Sequence, residues 1–422
     1  MRLFVDTTPL RVSRDFRRLW IGQGVSFFGS TITSAALPYQ VFHATGSSLA
    51  VGLLGVAQLG PLLACSLLGG AIADRADKRS LLLAANTAAL ICSAALAANA
   101  ALHHPQVWLM FVLGALAAGV ASVTYPVTRA LLPLLIDEDL RPAAYALQST
   151  YGSFGMMVGP AFGGLIIAVS GLTSAYGVDV ATFCVAVAFF TSIAPSPPVP
   201  DADRNHASSV LEGLRYLRGH SVIMSIFGID LLAMVFGMPR ALLPALAVRL
   251  GGGPKLYGLL LGSIAAGAFV ASLSSGWTSR VRREGRAVLW AVTVWGTAIA
   301  IAGLTKATVL VLAMFAVAGG ADMISGVYRS TIAASVTPDE MRGRVSGVEI
   351  AVYAGGPVLG DVEAGVVGGL AGVPFAIVSG GLACIVAAAT FAVRVRSFAA
   401  FERPRGTSPE PSADLDDTAG AG

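Results

Sequence analysis

Nine ionisable side chains stand inside long apolar stretches of this chain: Arg129, Asp179, Asp230, Arg240, Asp322, Arg329, Glu349, Asp361 and Glu363. A charge in so apolar a setting is costly, and it is normally held against a cavity or an opposite charge. The chemistry open to such groups is proton uptake and release, ion pairing and recognition of a polar cargo. All but Arg129 and Asp179 fall in the second half of the chain. Asp322, Asp230 and Asp361 are therefore the proton-carrying candidates, and Arg329, Glu349 and Arg129 the ion-pair candidates. Asp322 is placed about 22 Å from the nearer loop at helical rise, deep enough for burial to disfavour its charged form. Arg329 and Glu349 stand about 12 Å and about 9 Å up adjoining helices, and the expectation is that they pair. Asp322 and Arg329 also share a helix face, so a bridge within one helix is the competing reading. Asp179, one turn into its helix, is expected to cap it or to touch a helix interface.

Other chemistries find no support. Cys65, Cys92, Cys184 and Cys384 lie in apolar runs without metal-ligand spacing and read as small hydrophobes in a packed interior. His103 and His104 fall in a short turn and His43 at the end of the first span, without metal spacing among them. There is no His-rich metal box, nucleophile elbow or phosphate-binding loop. No metal, organic cofactor or enzymatic activity is expected, although an integral-membrane enzyme remains a reading to be tested by turnover without vectorial movement. Aromatics at Tyr39, Tyr125, Tyr151, Phe154, Phe236 and Tyr353 are possible cavity linings.

The elements that position these residues follow from composition. The chain of 422 residues is 55% hydrophobic and 12% charged, against about 25% charged in a soluble domain. Its mean hydropathy is +0.74. Apolar runs of about twenty residues without strict alternation predict membrane-spanning helices, not a barrel. Spans are expected near 17–40, 48–73, 80–102, 106–136, 142–169 and 174–194, then near 220–248, 255–279, 287–304, 308–336, 344–370 and 373–393. The first run is long and follows a basic tail, so it is expected to remain as a span. The organisation expected is a tail at 1–15, six-helix bundles at 16–194 and 220–397, a linker at 195–219 broken by prolines, and a disordered tail at 398–422. The net charge of +4 is a topology signal, not a nucleic-acid footprint. Lys and Arg concentrate in the tails and alternate loops, which places both termini in the cytoplasm. The halves also repeat: Asp137-Glu-Asp-Leu-Arg141 answers Pro338-Asp-Glu-Met-Arg342, and Gly159-Pro160 answers Gly356-Pro357.

Between the second and third spans stands Gly70-Ala-Ile-Ala-Asp74-Arg75-Ala-Asp77-Lys78-Arg79. This segment resembles the loop motif of the major facilitator superfamily, with Gly70, Asp74, Arg75, Lys78 and Arg79 matching and Asp77 standing where the family usually has Gly. The resemblance implies a gate: Asp74 against the positive end of span eleven, near Gly343 to Ser346, with Arg75 or Arg79 making a second charge contact. Gly155, Gly159, Pro160, Gly163 and Gly164 resemble the fifth-helix motif of the antiporter branch, where small residues let a neighbouring helix approach. Pro338-Asp-Glu-Met-Arg342-Gly-Arg-Val345 resembles the loop before span eleven in the branch of enterobactin and macrolide exporters. The resemblance implies an all-α transporter of two six-helix bundles, monomeric in the bacterial cytoplasmic membrane. It would export a small organic molecule, a drug, siderophore or other secondary metabolite, by proton antiport. The alternatives are an importer or facilitator of the same fold and a non-transporting sensor or assembly protein.

Overall fold

The computed structural model describes residues 6–195, 215 and 219–402, with side chains at all of them except 67–75, 279, 339–340, 342–344, 346–347 and 350–351. It is all-helical, with no strand among the described residues. The first helices are α1 (Arg14–Thr45), α2 (Ser48–Arg75), α3 (Lys78–Ala100) and α4 (Val107–Leu135). A stretch from Arg141 to Thr191 then turns at Gly171, whose φ is 82° and ψ 176°, dividing it into α5 (141–170) and α6 (172–191). α7 (Ser221–Gly237) breaks and resumes as Leu243–Arg249, after which come α8 (Gly253–Leu273), α9 (Glu284–Leu304), α10 (Thr308–Val336), α11 (Asp339–Ala371) and α12 (Val373–Arg394). Nine helices among the described residues are long and apolar enough to cross a membrane, with Glu138–Thr191 counted once. α1 and α11, at 32 and 33 residues, lie outside that group.

Glycines with positive φ mark one end of the molecule. Gly46 (65°) ends α1 and Gly251 (73°) and Gly253 (53°) lead into α8, while Gly171 (82°) and Gly372 (89°) divide α5 from α6 and α11 from α12. Gly171 and Gly372 are also both extended in ψ, a region open essentially to glycine alone. The same devices thus recur at corresponding turns of the first and second sets of helices. We call this the turn end and the opposite the tail end.

At the tail end, charged side chains close the first set. Arg18 Nη1 donates to the Ser192 carbonyl at 2.6 Å and to Asp15 at 2.8 Å, and Asp15 accepts from the Ala194 N–H at 3.1 Å. Expected boundaries shift in four places. α11 begins five residues before 344. The seventh span is not continuous. The eighth ends at Leu273, followed by a 3₁₀ turn at Ser275–Arg280. Residues 398–402 are ordered: Phe398 is fully buried against α9, and Glu402 bridges Arg283 at 3.1 Å. The apolar ring of Phe398 explains why polar composition further along misplaced that boundary. The linker at 195–219 lies largely outside the described residues, as does the chain after 402.

The two sets meet through α2 on α11 and α5 on α8. Both contacts are built on missing side chains near the turn end. A Cβ on Gly365 would stand 2.8 Å from the Leu49 Cα, one on Gly52 2.5 Å from the Asp361 carbonyl oxygen, and one on Gly262 3.0 Å from the Ala161 Cβ. Tyr39 of α1 and Tyr257 of α8 lie nearby, ring centroids 5.5 Å apart.

Candidate functional site

The densest buried charge lies where α7, α10 and α11 approach. Arg329, 5% exposed, donates from Nη1 to Asp230 Oδ1 of α7 at 2.5 Å and to the Ser325 hydroxyl at 3.1 Å. Its Nη2 reaches Asp322 Oδ1, one face along the same helix, at 3.8 Å. Asp230 is as buried as the arginine, whereas the Asp322 side chain is 43% exposed. One arginine thus serves a closed partner and an open one. A small pocket of about 20 Å³ begins at these groups and is lined also by Met234, Met238 and Trp295.

The pairing differs from the sequence expectation. Among the described residues, the carboxylates within bridging distance of Arg329 are Asp230 and Asp322, not Glu349. Glu349 is half-buried on α11 and acts on Asp230 through space. Because α11 begins at Asp339, Glu349 stands about 15 Å along it, not about 9 Å; rotation about the axis then decides which carboxylate faces the guanidinium, and α7 presents one there. The bridge from Asp322 to Arg329, the competing reading, is present. Arg129 makes no ion pair among the described contacts; its guanidinium lies over the exposed Tyr125 ring, 5.4 Å from the centroid, one helical turn away.

The break in α7 belongs to the same site. Pro239 has no N–H and cannot continue a helix, which leaves carbonyl and amide groups needing partners. The Trp295 indole of α9 donates to the Gly237 carbonyl at 2.8 Å, and the Asp361 carboxylate of α11 accepts from the Ala241 N–H at 3.0 Å. Asp361 is therefore placed as the acceptor for the 3₁₀ turn Arg240–Leu242 that leads into the resumed helix. Arg240, in the break, acts electrostatically on both Asp361 and Asp322. Pro239 was the signal for this break, whereas nothing in the sequence singled out Trp295.

Asp179 sits at a helix interface, one of its two expected roles, and not at a cap. It is 1% exposed, and its Oδ2 accepts from Thr33 of α1 at 2.6 Å and Ser93 of α3 at 2.7 Å. Thr182 approaches its Oδ1 at 3.4 Å. A Cβ at Gly29 would stand 2.6 Å from that oxygen, so the glycine makes room for the cluster.

The two glycine motifs are placed differently. In α5, Gly155 faces Phe27, Gly159 faces Thr31 and Gly163 faces Ile32, all on α1, while Gly164 faces Gly258 of α8. Pro160 presents its carbonyl to Gly258. In the loop motif, Asp77 accepts from the Ser80 N–H at 2.9 Å and caps α3, which explains an acid where the family has glycine. Arg79 donates to the Phe190 and Thr191 carbonyls at 3.3 and 2.5 Å. Its partner is the C-terminus of α6, where the helix dipole is negative. Lys78 is buried. The side chains at Gly70, Asp74, Arg75 and 342–344 lie outside those described, and with them the expected gate contact.

The aromatic candidates divide. Phe28 of α1 stacks on Phe154 and tilts against Phe162 of α5, with centroids 6.0 and 5.8 Å apart. Tyr151 packs on Trp20 and Phe27.

Residues 6–421 match the family described as transmembrane secretion effectors. The enterobactin exporter EntS of Shigella boydii serotype 18 is 26% identical over 366 residues, covering 87% of each chain. A POT family transporter solved with 5-aminolevulinic acid superposes with a TM-score of 0.70 at 12% identity, covering 92% of this chain and 97% of the other. A bacterial homologue of the iron transporter ferroportin in an inward-facing state gives 0.70 at 12% identity, covering 92% and 99%. At such identities the superpositions speak for the fold.

Proposed function

This chain belongs to the transmembrane secretion effector family of major facilitator transporters, and on that premise we propose that it exports a small siderophore-like molecule by proton antiport. It is a multi-pass membrane transporter, not an enzyme. The finer reading is twelve crossings of the bacterial cytoplasmic membrane, both termini cytoplasmic, functional as a monomer, with two bundles rocking about the cargo. The tail end is then cytoplasmic, and the close contacts near the turn end support reading this as an inward-open state.

One observation carries the coupling: Arg329 is held by buried Asp230 and reaches the half-exposed Asp322 at the pocket. A proton on Asp322 would release it from Arg329, so taking up a proton and opening this bridge at the pocket are one event. Asp230 and Asp361 are the other candidates, but both are engaged in closed contacts. The likeness to the enterobactin exporter supports a cargo of that class, with aromatic rings at Phe28, Phe154 and Tyr125 offering stacking surfaces.

The test is the purified protein in liposomes with a pH-sensitive dye inside. A catecholate siderophore gradient should drive proton movement, and Asp322→Asn should abolish it while cargo binding persists. A variant that still accumulates cargo against its gradient would overturn the assignment of Asp322.

A further inference from the structure

Between α9 and α10, on the outside of the second set, lies a groove of about 590 Å³. Trp290, Val294, Val317 and Ile324 form its walls, and Trp277, Arg283 and Arg286 stand around it as well. Trp290 is 69% exposed and Trp277 47%. Apolar walls of this kind suit a hydrocarbon chain, and tryptophans at one end suit the level of lipid headgroups.

The arginines give the groove a sign. Arg280, Arg282, Arg283 and Arg286 fall within seven residues, against Glu284 in the same segment. Glu402 bridges Arg283 with both side chains more than half exposed. The chain's own carboxylate thus already occupies one arginine, and exposed pairs of this kind are weak and exchangeable. Arg286 lines the groove beside it. A phosphate entering there meets two guanidinium groups suited to bidentate contact.

We propose that this groove seats one anionic phospholipid, its phosphate between Arg283 and Arg286 and an acyl chain along Trp290, Val294 and Ile324. Basic pockets between membrane helices recognise such headgroups. The seat has a reach beyond its own walls. Ala291 and Ala321 line both this groove and the pocket of Asp230, Asp322 and Arg329. The acyl chain lies behind the same pair of small side chains that the charged site faces, so lipid occupancy bears on how tightly α9 and α10 close around it.

The full-length protein in phosphatidylcholine vesicles tests this, with a minor fraction of either brominated phosphatidylglycerol or brominated phosphatidylcholine. Bromine quenches tryptophan on contact. The anionic lipid should quench several-fold more per molecule, through a fraction that disappears in Trp277→Phe/Trp290→Phe. Arg283→Gln/Arg286→Gln should abolish the preference and Arg283→Lys/Arg286→Lys should keep most of it. If the Gln variant fails to fold, the wild-type preference must still fall as salt rises. Equal quenching by the two lipids, a preference surviving in the Gln variant or indifferent to salt, or its loss to millimolar inorganic phosphate would each overturn the proposal, the last by showing a free-anion site.

Discussion

Gly164 of α5 and Gly258 of α8 touch backbone to backbone: a Cβ on the first would stand 2.6 Å from the Cα of the second, and the reverse 2.8 Å. No flexible side chain can move aside there. Overpacking of this kind costs about 1–3 kcal/mol, and it falls only on the conformation in which the two helices meet. Gly164→Ala should therefore shift the balance between the two states about 5–150-fold toward the one open at the turn end. Spin labels across that end should report a longer distance, with the fold retained. Unchanged distances would mean that the contact persists throughout the cycle.

The pair of Asp230 and Arg329 is buried on both sides. Removing one member leaves an uncompensated charge, at a cost of about 3–5 kcal/mol. Asp230→Asn should lower the melting temperature in detergent well beyond Glu349→Gln, and Arg329→Gln in the same chain should restore part of the loss. Equal effects of the two single changes would point to Glu349 as the true partner.

Asp361 offers a sharper separation of roles. As the acceptor for the Ala241 N–H it needs an oxygen but not a charge. Asp361→Asn should keep near-normal stability and transport, while Asp361→Ala should lose about 0.5–2 kcal/mol, the range of a lost helix cap. Thermal unfolding and liposome transport of the two variants decide it. If Asn uncouples protons from cargo, the carboxylate has a second duty.

Asp179 ties α1 and α3 to α6 through two hydroxyl donors. Hydrogen bonds to a charged group contribute about 1.5–3 kcal/mol each. Ser93→Ala should destabilise the protein by that order, and less so in an Asp179→Asn background. A double-mutant cycle on unfolding midpoints measures the coupling; strict additivity would show that the two side chains do not depend on one another.

Much of this was legible in the sequence because charge is conspicuous against an apolar background. Arg329, Asp322, Asp230 and Asp361 all stood out, as did the glycines of α5. What could not be read was azimuth. A helical repeat gives depth in the membrane, but the choice between Glu349 and Asp230 depends on how α7, α10 and α11 are rotated against one another. Of the two roles open to Asp179, the interface contact is the one present, but its partners Thr33 and Ser93, ordinary residues on distant helices, could not be named from the sequence. Asp77 shows the converse, since a departure from a family pattern turned out to be a helix cap.

Gly171 and Gly372 each reverse the chain within about one residue. Such a turn leaves almost no hydrophilic segment between the helices it joins. During biosynthesis, α5 with α6 and α11 with α12 can therefore enter the bilayer as preformed hairpins, with hardly any polar peptide at the turn. The last pair of each set carries its own solution to translocation, and lengthening either turn with charged residues would burden insertion before it touched transport.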